Sequence, residues 1–210
     1  EAPGVFSGTA FHCYGGNMSQ AQDALHTLHP ELPIFMTECS GSYPDDKCDV
    51  AKGMHDFYWN YNWQMSNLYL GAAKHWTSAA LRWNLVLDEH CGPTLPGLAY
   101  QWGQPLITIP STAATTADVM YNQDFFTIAH MSTFVRPGMR RLQADVFGVP
   151  ESDAIITAFE DEEAGTIVAY AFNKDANSKL SLEISHRGKV LAYTVPSWGT
   201  AVFRFHPREP

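Results

Sequence analysis

Three short segments together carry polar side chains, among which His, Cys, Tyr and Glu can transfer protons or attack an electrophilic carbon. They are Phe11-His12-Cys13-Tyr14, Thr37-Glu38-Cys39 and Arg82-Trp83-Asn84. Each accompanies a run of apolar residues, so each is expected where a strand gives way to a loop. A carboxylate at such a position is partly desolvated, which costs free energy unless the group is paired or used. Glu38 is therefore the first candidate for a catalytic group, although a helix cap or an ion pair is the structural alternative.

A metal site is a second interpretation of the same segments. The residues of zinc-ligating type are His12, Cys13, Cys39, Asp88, His90 and Cys91. None of their pairs has a common zinc-ligand spacing, and the sequence contains no C-x-x-C pair, so we predict no metal. A cysteine protease pair built on Cys13 or Cys39 is also disfavoured, because no local signature of a low-pKa thiol surrounds either residue.

The elements that position these residues follow from the apolar pattern of residues 1–137. We expect strands at Val5–Tyr14, Leu32–Thr37 and Ala79–Leu87, and helices at Ser19–His29, at 50–75 and around Tyr121–Ser132, with Ser19 as the first N-cap. Apolar strands that alternate with helices are typical of parallel βα units. The carboxyl ends of parallel strands open on one face in a barrel, so His12 and Glu38 are expected to share a site there.

The pattern changes after Pro137-Gly138. Residues 138–210 repeat apolar side chains at every second position, as in Leu180, Leu182 and Ile184, with turn signals between the runs. Short strands of this period predict an antiparallel β-sandwich. The predicted fold class is therefore α/β plus all-β, with one domain over residues 1–137 and another over 138–210. Three βα units are too few for a closed (β/α)8 barrel, which takes about 250 residues, so the first domain is a small open sheet or part of a barrel.

Composition excludes several classes of partner. The chain has 13 Lys and Arg residues against 22 Asp and Glu, a formal net charge of -9 and no basic stripe. Nucleic acids and anionic membrane surfaces are therefore poor partners. No run approaches the roughly 20 apolar residues of a membrane span. Aromatic residues make up 13% of the chain, a content that fits either core packing or a carbohydrate cleft.

The cysteines and one sequon bear on the compartment. Four cysteines allow disulfides without demanding them, and Cys39 and Cys48 are close enough in sequence to close a short loop. Asn17-Met18-Ser19 is a glycosylation sequon, which matters only in a secreted protein. Asn17 is therefore a candidate modification site.

Four ordered motifs resemble those of glycoside hydrolase family 30, which includes lysosomal glucosylceramidase and fungal endo-β-1,6-glucanases. They are F-H-C-Y-G-G, T-E-C-S-G, W-N-L-V-L-D-x-x-x-G-P and F-x-x-I-A-H-M-S-x-F-V-R-P-G. The first two look more like the microbial and fungal glucanase branch. This resemblance implies that residues 1–137 are strands 6–8 of a (β/α)8 TIM barrel and that residues 138–210 form the β-sandwich that follows it.

The resemblance also implies roles for single residues. Glu38 matches the catalytic nucleophile of a retaining glycosidase. The residues implied in substrate binding are His12, Tyr14, Trp83 and Asn84. The family keeps its acid/base glutamate in an Asn-Glu-Pro-like motif that this sequence lacks, and Glu89 matches no family acid. The acid/base residue is therefore expected outside this chain.

The implied function is hydrolysis of β-glucan by a retaining, endo-β-1,6-glucanase-like enzyme without a cofactor. Activity would require a second polypeptide or an N-terminal segment that completes the barrel. The expected location is extracellular, with a lysosome or vacuole as the alternative. The competing hypothesis is a non-catalytic carbohydrate-binding or interaction protein that lacks the acid/base half.

Overall fold

The computed structural model describes residues 4–39, 54–97 and 104–206, with the backbone alone for residues 54–56. The chain divides into two compact units, residues 1–130 and 131–210. The elements up to residue 134 are β1 (Thr9–His12), α1 (Met18–Leu28), β2 (Ile34–Glu38), α2 (Met54–Asn67), α3 (Leu70–Lys74), β3 (Thr77–Ala80), β4 (Val86–Leu87), β5 (Ile107–Thr108), a 3₁₀ turn (Thr116–Asp118), β6 (Met120–Tyr121) and α4 (Gln123–Phe134).

The strands β1, β2 and β3 form a parallel sheet in that order. The expected parallel pairing is thus confirmed, but the predicted third strand, Ala79–Leu87, is right only at its two ends, which lie in β3 and β4. It is interrupted between β3 and β4, because Asn84 has a φ of 100°, a left-handed conformation that cannot continue a strand. The short β4 belongs instead to a second sheet, in which it pairs with β5 and β5 pairs with β6.

The helices differ from the predicted ones at their ends. The N-cap of α1 is Asn17 rather than Ser19, and its side-chain oxygen accepts a hydrogen bond from the Gln20 amide at 3.1 Å. Both residue types are good N-caps, so composition alone does not choose between them. The helix expected over 50–75 is divided into α2 and α3. A Cβ atom on Gly71 would lie 1.7 Å from the Ser66 carbonyl oxygen, so this close approach requires glycine.

The two faces of the parallel sheet differ in burial. In β2, Ile34 and Met36 are fully buried, whereas Phe35 between them is only half-buried. The partners of Phe35 in the neighbouring strands are Ala10 and Ala79, and both are exposed. Because side chains alternate along a strand, one face of this sheet is packed and the other is open.

After the last residues of α4, the second unit contains only strands, β7 (Arg140–Leu142), β8 (Ala154–Asp161), β9 (Thr166–Asn173), β10 (Leu180–His186), β11 (Lys189–Val195) and β12 (Thr200–Phe205), among its described residues. Four of them form a sheet in the order β12-β9-β8-β7, and β10 and β11 form a hairpin. All of these pairings are antiparallel, as the sequence predicts. Central β9 is buried at every residue, which explains why apolar residues occupy both of its faces.

Across the described ranges 4–39, 54–97 and 104–206, no helix is both long and apolar enough to cross a membrane.

Candidate active site

A shift in strand register determines the position of Glu38, the last residue of β2. Phe11 of β1 pairs with Met36, but the next residue, His12, pairs with Glu38, so Thr37 is an extra residue in β2. Side chains alternate along a strand, so this irregularity moves Glu38 off the buried face that holds Met36. It places Glu38 beside His12 on the open face of the sheet.

Tyr14 completes this group from the segment that follows β1. Its hydroxyl makes a hydrogen bond with the Glu38 carboxylate, and its ring lies edge-on to His12 with 6.0 Å between centroids. Partial burial, the hydrogen bond and the charge of Glu38 together raise the pKa of Tyr14 to about 12, against the opposing charge of Arg82. Tyr14 therefore remains a protonated donor to Glu38 at neutral pH.

A disulfide joins the segments that follow these residues. Cys13 is bonded to Cys39, with 5.5 Å between their Cα atoms, so the hypothesis of a Cys39–Cys48 loop is wrong. His12 lies opposite Glu38, so Cys13 and Cys39, which directly follow the two strands, are also neighbours. Their Cα–Cα distance is within the usual range for a disulfide. Each cysteine directly follows a predicted site residue, and this matching position was the one indication of the disulfide that the sequence offered. Cys48, like the Ser40-Gly41 end of the second motif, lies outside the described residues.

Arg82 is a central residue of the site to which the sequence alone assigns no role. Its side chain is 1% exposed. The guanidinium donates to the carbonyl oxygens of Cys39 at 3.2 Å, Trp83 at 3.0 Å and Gln104 at 3.0 Å, and its Nε donates to Asp124 Oδ1 at 2.8 Å. A single side chain thus connects the end of β2, the segment after β3 and helix α4.

Asp124, the second residue of α4, compensates the charge of Arg82. Its side chain is fully buried, and it also accepts hydrogen bonds from Gln64 Nε2 at 2.6 Å and Asn60 Nδ2 at 3.3 Å. Burial raises the pKa of Asp124, while Arg82 and then Gln64 oppose that rise. Arg82 and Asp124 are 42 residues apart in sequence, so no local pattern indicates the pair.

Trp83 and Asn84 follow β3 at the same end of the sheet. The Trp83 amide donates to the Cys39 carbonyl at 3.2 Å, which places its backbone next to the residue after Glu38. Trp83 is 45% exposed as a residue, so part of its indole surface is open to a ligand. Asn84 is half-buried, and its carbonyl oxygen accepts from the Leu106 amide at 3.1 Å.

Glu89 has the opposite character from a general acid. Its carboxylate accepts hydrogen bonds from the hydroxyl and the amide of Ser111, and these bonds lower its pKa to about 2. A general acid of a glycosidase needs a raised pKa so that it holds a proton near neutral pH. Glu89 is therefore unsuited to that role. Within the part of the chain that the structure describes, no three His, Cys, Asp or Glu side chains are grouped to hold a metal ion.

Two curated proteins of Caenorhabditis elegans are similar to this chain. "Putative glucosylceramidase 2" is 30% identical over 186 residues, which are 88% of this chain and 33% of that protein. "Putative glucosylceramidase 1" is 26% identical over 169 residues, which are 80% of this chain and 30% of that protein. The chain thus spans about a third of the length of the curated relatives that it matches.

Two solved structures also match nearly all of this chain but less than half of their own length. The endo-β-1,6-glucanase BT3312 matches with a TM-score of 0.78 and 25% identity, over 96% of this chain and 41% of that one. SrfJ from Salmonella typhimurium matches with a TM-score of 0.76 and 21% identity over the same shares of both chains, a likeness of fold. The sequence profile of the glycosyl hydrolase family 30 TIM-barrel domain matches residues 1–135, well over half of the chain. The chain belongs to glycosyl hydrolase family 30.

Proposed function

We propose that the protein containing this chain is a retaining β-glycoside hydrolase and that the chain supplies its nucleophile, Glu38. The observation that carries the proposal is the position of this carboxylate, on the open face of a parallel sheet beside His12 and hydrogen-bonded to Tyr14. Retaining glycosidases use one carboxylate as a nucleophile and a second carboxyl group, about 5–5.5 Å away, as acid and then base.

In the proposed reaction, a Glu38 oxygen attacks the anomeric carbon while the glycosidic oxygen leaves with a proton from the acid/base residue. A water molecule, deprotonated by that same residue, then hydrolyses the glycosyl ester and restores the Glu38 carboxylate. Tyr14 orients the carboxylate through its hydrogen bond. His12 lines the sugar site next to Glu38, and Trp83 offers an aromatic face to a sugar ring, with Asn84 beside it.

We further propose that β1, β2 and β3 are the sixth, seventh and eighth strands of a (β/α)8 barrel and that residues 138–210 form a β-sandwich. The open face of the sheet supports the first part, because the inner face of a barrel must be filled by side chains from other strands. The acid/base glutamate then belongs to the segment or second polypeptide that completes the barrel. The coverage of 41% of BT3312 is consistent with such a missing portion.

For the substrate we propose a β-1,6-linked glucan. The similarity to the endo-β-1,6-glucanase BT3312 supports this choice, while the two Caenorhabditis elegans relatives make glucosylceramide the competing substrate. Hydrolysis of both substrates by the complete protein, under identical conditions, would distinguish them. Binding of glucan without any hydrolysis would instead favour a non-catalytic carbohydrate-binding protein.

We propose an extracellular location. The Cys13–Cys39 disulfide supports it, because disulfides persist mainly in oxidising compartments. The sequon residue Asn17 is exposed, and its N-cap bond uses only the side-chain oxygen. The amide nitrogen to which a glycan would be attached therefore takes no part in that bond.

The test of the nucleophile is covalent trapping in the complete protein. A 2-deoxy-2-fluoroglucosyl fluoride should inactivate the enzyme, and peptide mass spectrometry should locate the sugar on Glu38. Glu38→Gln keeps the volume of the side chain but cannot form the ester, so turnover should fall by several powers of ten. A label on another residue, or a Glu38→Gln variant with more than about a tenth of the activity, would refute the assignment.

A further inference from the structure

We propose that Cys39 is a positioning residue, held at three points so that the preceding Glu38 keeps the geometry of attack. The three contacts are the disulfide to Cys13, the hydrogen bond from the Arg82 guanidinium and the hydrogen bond from the Trp83 amide. We call this set the Cys39 anchor. The inference rests on the proposed function, since it concerns the orientation of the proposed nucleophile.

Glu38 needs such an anchor because of its place in the strand. It directly follows the extra residue Thr37, where the pairing of β1 with β2 is irregular, and bulges of this kind locally disrupt the ladder of hydrogen bonds. The sheet therefore restrains Glu38 poorly on its N-terminal side. Restraint has to come from the C-terminal side, where the next residue is Cys39.

The carbonyl oxygen of Cys39 is fully engaged there. A carbonyl oxygen has two lone pairs, and that of Cys39 accepts from Trp83 N at 3.2 Å and from Arg82 Nη1 at 3.2 Å. The residue is 0% exposed, so water does not compete for these bonds. The Cys39 carbonyl group is thus restrained by two donors from the segment after β3.

The side chain of Cys39 adds a covalent restraint that includes the donor to Glu38. Cys13 immediately precedes Tyr14, and Cys39 immediately follows Glu38, so the disulfide and the Tyr14–Glu38 hydrogen bond join the same two segments. Loss of the disulfide would release the nucleophile and its hydrogen-bond donor together. A misplacement of about 1 Å in a catalytic site costs about 10²-fold in rate, so this coupling is expected to be visible in kinetics.

Arg82 is suited to the anchor by its fork of donors. Its Nε and Nη2 atoms engage Asp124, which leaves Nη1 for the carbonyl oxygens of Cys39 and Trp83. A lysine retains the charge opposite Asp124 but has a single ammonium group and no planar fork. Arg82→Lys therefore weakens the anchor without leaving Asp124 unpaired.

The experiment compares trapping rates in the complete protein. The variants are the double change C13S/C39S and the single change R82K, and the probe is the 2-deoxy-2-fluoroglucosyl fluoride. We expect the rate constant of trapping at Glu38 to fall about 10- to 100-fold for C13S/C39S and about 10-fold for R82K. The KM for glucan should stay within about threefold, because His12 and Trp83 are unchanged.

Met65→Ala is the matched control. Met65 is fully buried in α2, so its truncation lowers the melting temperature through lost packing, and it belongs to none of the contacts of the Cys39 anchor. We expect its trapping rate to stay within about twofold of wild type. A purely structural role for the anchor predicts instead that all three variants slow in proportion to their loss in melting temperature, which would overturn the inference.

Reversible reduction gives the answer if C13S/C39S does not fold. Folded enzyme is treated with dithiothreitol, alkylated cysteines are mapped by mass spectrometry, and reoxidation follows in a parallel sample. Loss of trapping that tracks exposure of the Cys13 and Cys39 thiols, with unchanged circular dichroism and recovery on reoxidation, supports the anchor. Unchanged trapping at Glu38 after reduction of this disulfide refutes it, whereas wild-type enzyme that takes no label refutes the proposed function itself.

Discussion

Replacing Asp124 with asparagine should destabilise the first unit strongly. The two partners of the ion pair are 1% exposed at Arg82 and 0% at Asp124, so asparagine would leave a buried, unpaired guanidinium. Breaking a buried pair on one side costs about 3–5 kcal/mol, a large part of the roughly 5–15 kcal/mol of a typical domain. Asparagine can still accept a hydrogen bond from Gln64 or Asn60, so the loss of stability arises from the unpaired charge of Arg82.

The reverse change, Arg82→Met, should cost a similar amount, because it leaves the Asp124 carboxylate buried with only amide donors. The double variant R82M/D124N carries neither charge. Its loss should therefore be smaller than the sum of the two single losses by about 2–3 kcal/mol. The carbonyl oxygens of Trp83 and Gln104 lose a donor in every variant without Arg82, so the double variant does not return to wild-type stability.

Urea unfolding followed by tryptophan fluorescence measures these losses. Every tryptophan except Trp198 precedes residue 131, so the signal reports mainly on the first unit. Glu31→Gln is the control, since the Glu31 carboxylate is exposed and lies 3.3 Å from an exposed His29. This substitution should change the free energy of unfolding by no more than about 0.5 kcal/mol. Losses for R82M and D124N that add within about 0.5 kcal/mol would show that the pair is not coupled, contrary to this reasoning.

Three further predictions concern the site and its surroundings. Glu38→Gln should lower the pKa of Tyr14 from about 12 towards 10, because the charge of Glu38 is removed while burial remains. A difference titration by ultraviolet absorbance, with Tyr14→Phe as the blank, measures this shift, and an unchanged titration would exclude the contact. The raised pKa contributes stability below pH 10 that is lost as the pH rises through about 12. Trp83→Ala should weaken glucan binding by about 1–3 kcal/mol if the indole stacks on a sugar, and isothermal titration calorimetry would reveal a merely structural role as unchanged affinity with lower stability. In a glycosylating host, peptide N-glycosidase should reduce the mass of the wild type but not of Ser19→Ala, which keeps the Asn17 cap, and a wild-type mass unaffected by the enzyme would refute glycosylation at Asn17.

Local pattern was sufficient for the main helices, for β1 and β2, and for the antiparallel strands of residues 138–210, but not for the second sheet of β4, β5 and β6. Apolar runs such as Ile34 to Met36 and the alternation in Leu180, Leu182 and Ile184 depend only on neighbours in the chain, so they predict strands without any tertiary information. Apolar strands between helices predict parallel pairing in one unit, and short period-two strands predict antiparallel pairing in the other. Element ends were less predictable: Asn17 and Ser19 are both good caps, and the packing of Gly71 against Ser66 that divides α2 from α3 involves atoms whose separation no periodicity describes.

The sequence also indicated the chemistry of the site, since Glu38, His12 and Tyr14 stand where strands end. Their arrangement was decided by tertiary structure. An extra residue at Thr37 in the pairing of β1 with β2 moves Glu38 to the open face, and a period-two pattern does not contain the register between strands. The same register makes Cys13, rather than the nearer Cys48, the partner of Cys39. Arg82 and Asp124 meet across 42 residues because burial of one charge requires the other nearby, a requirement that exists only once the chain has folded.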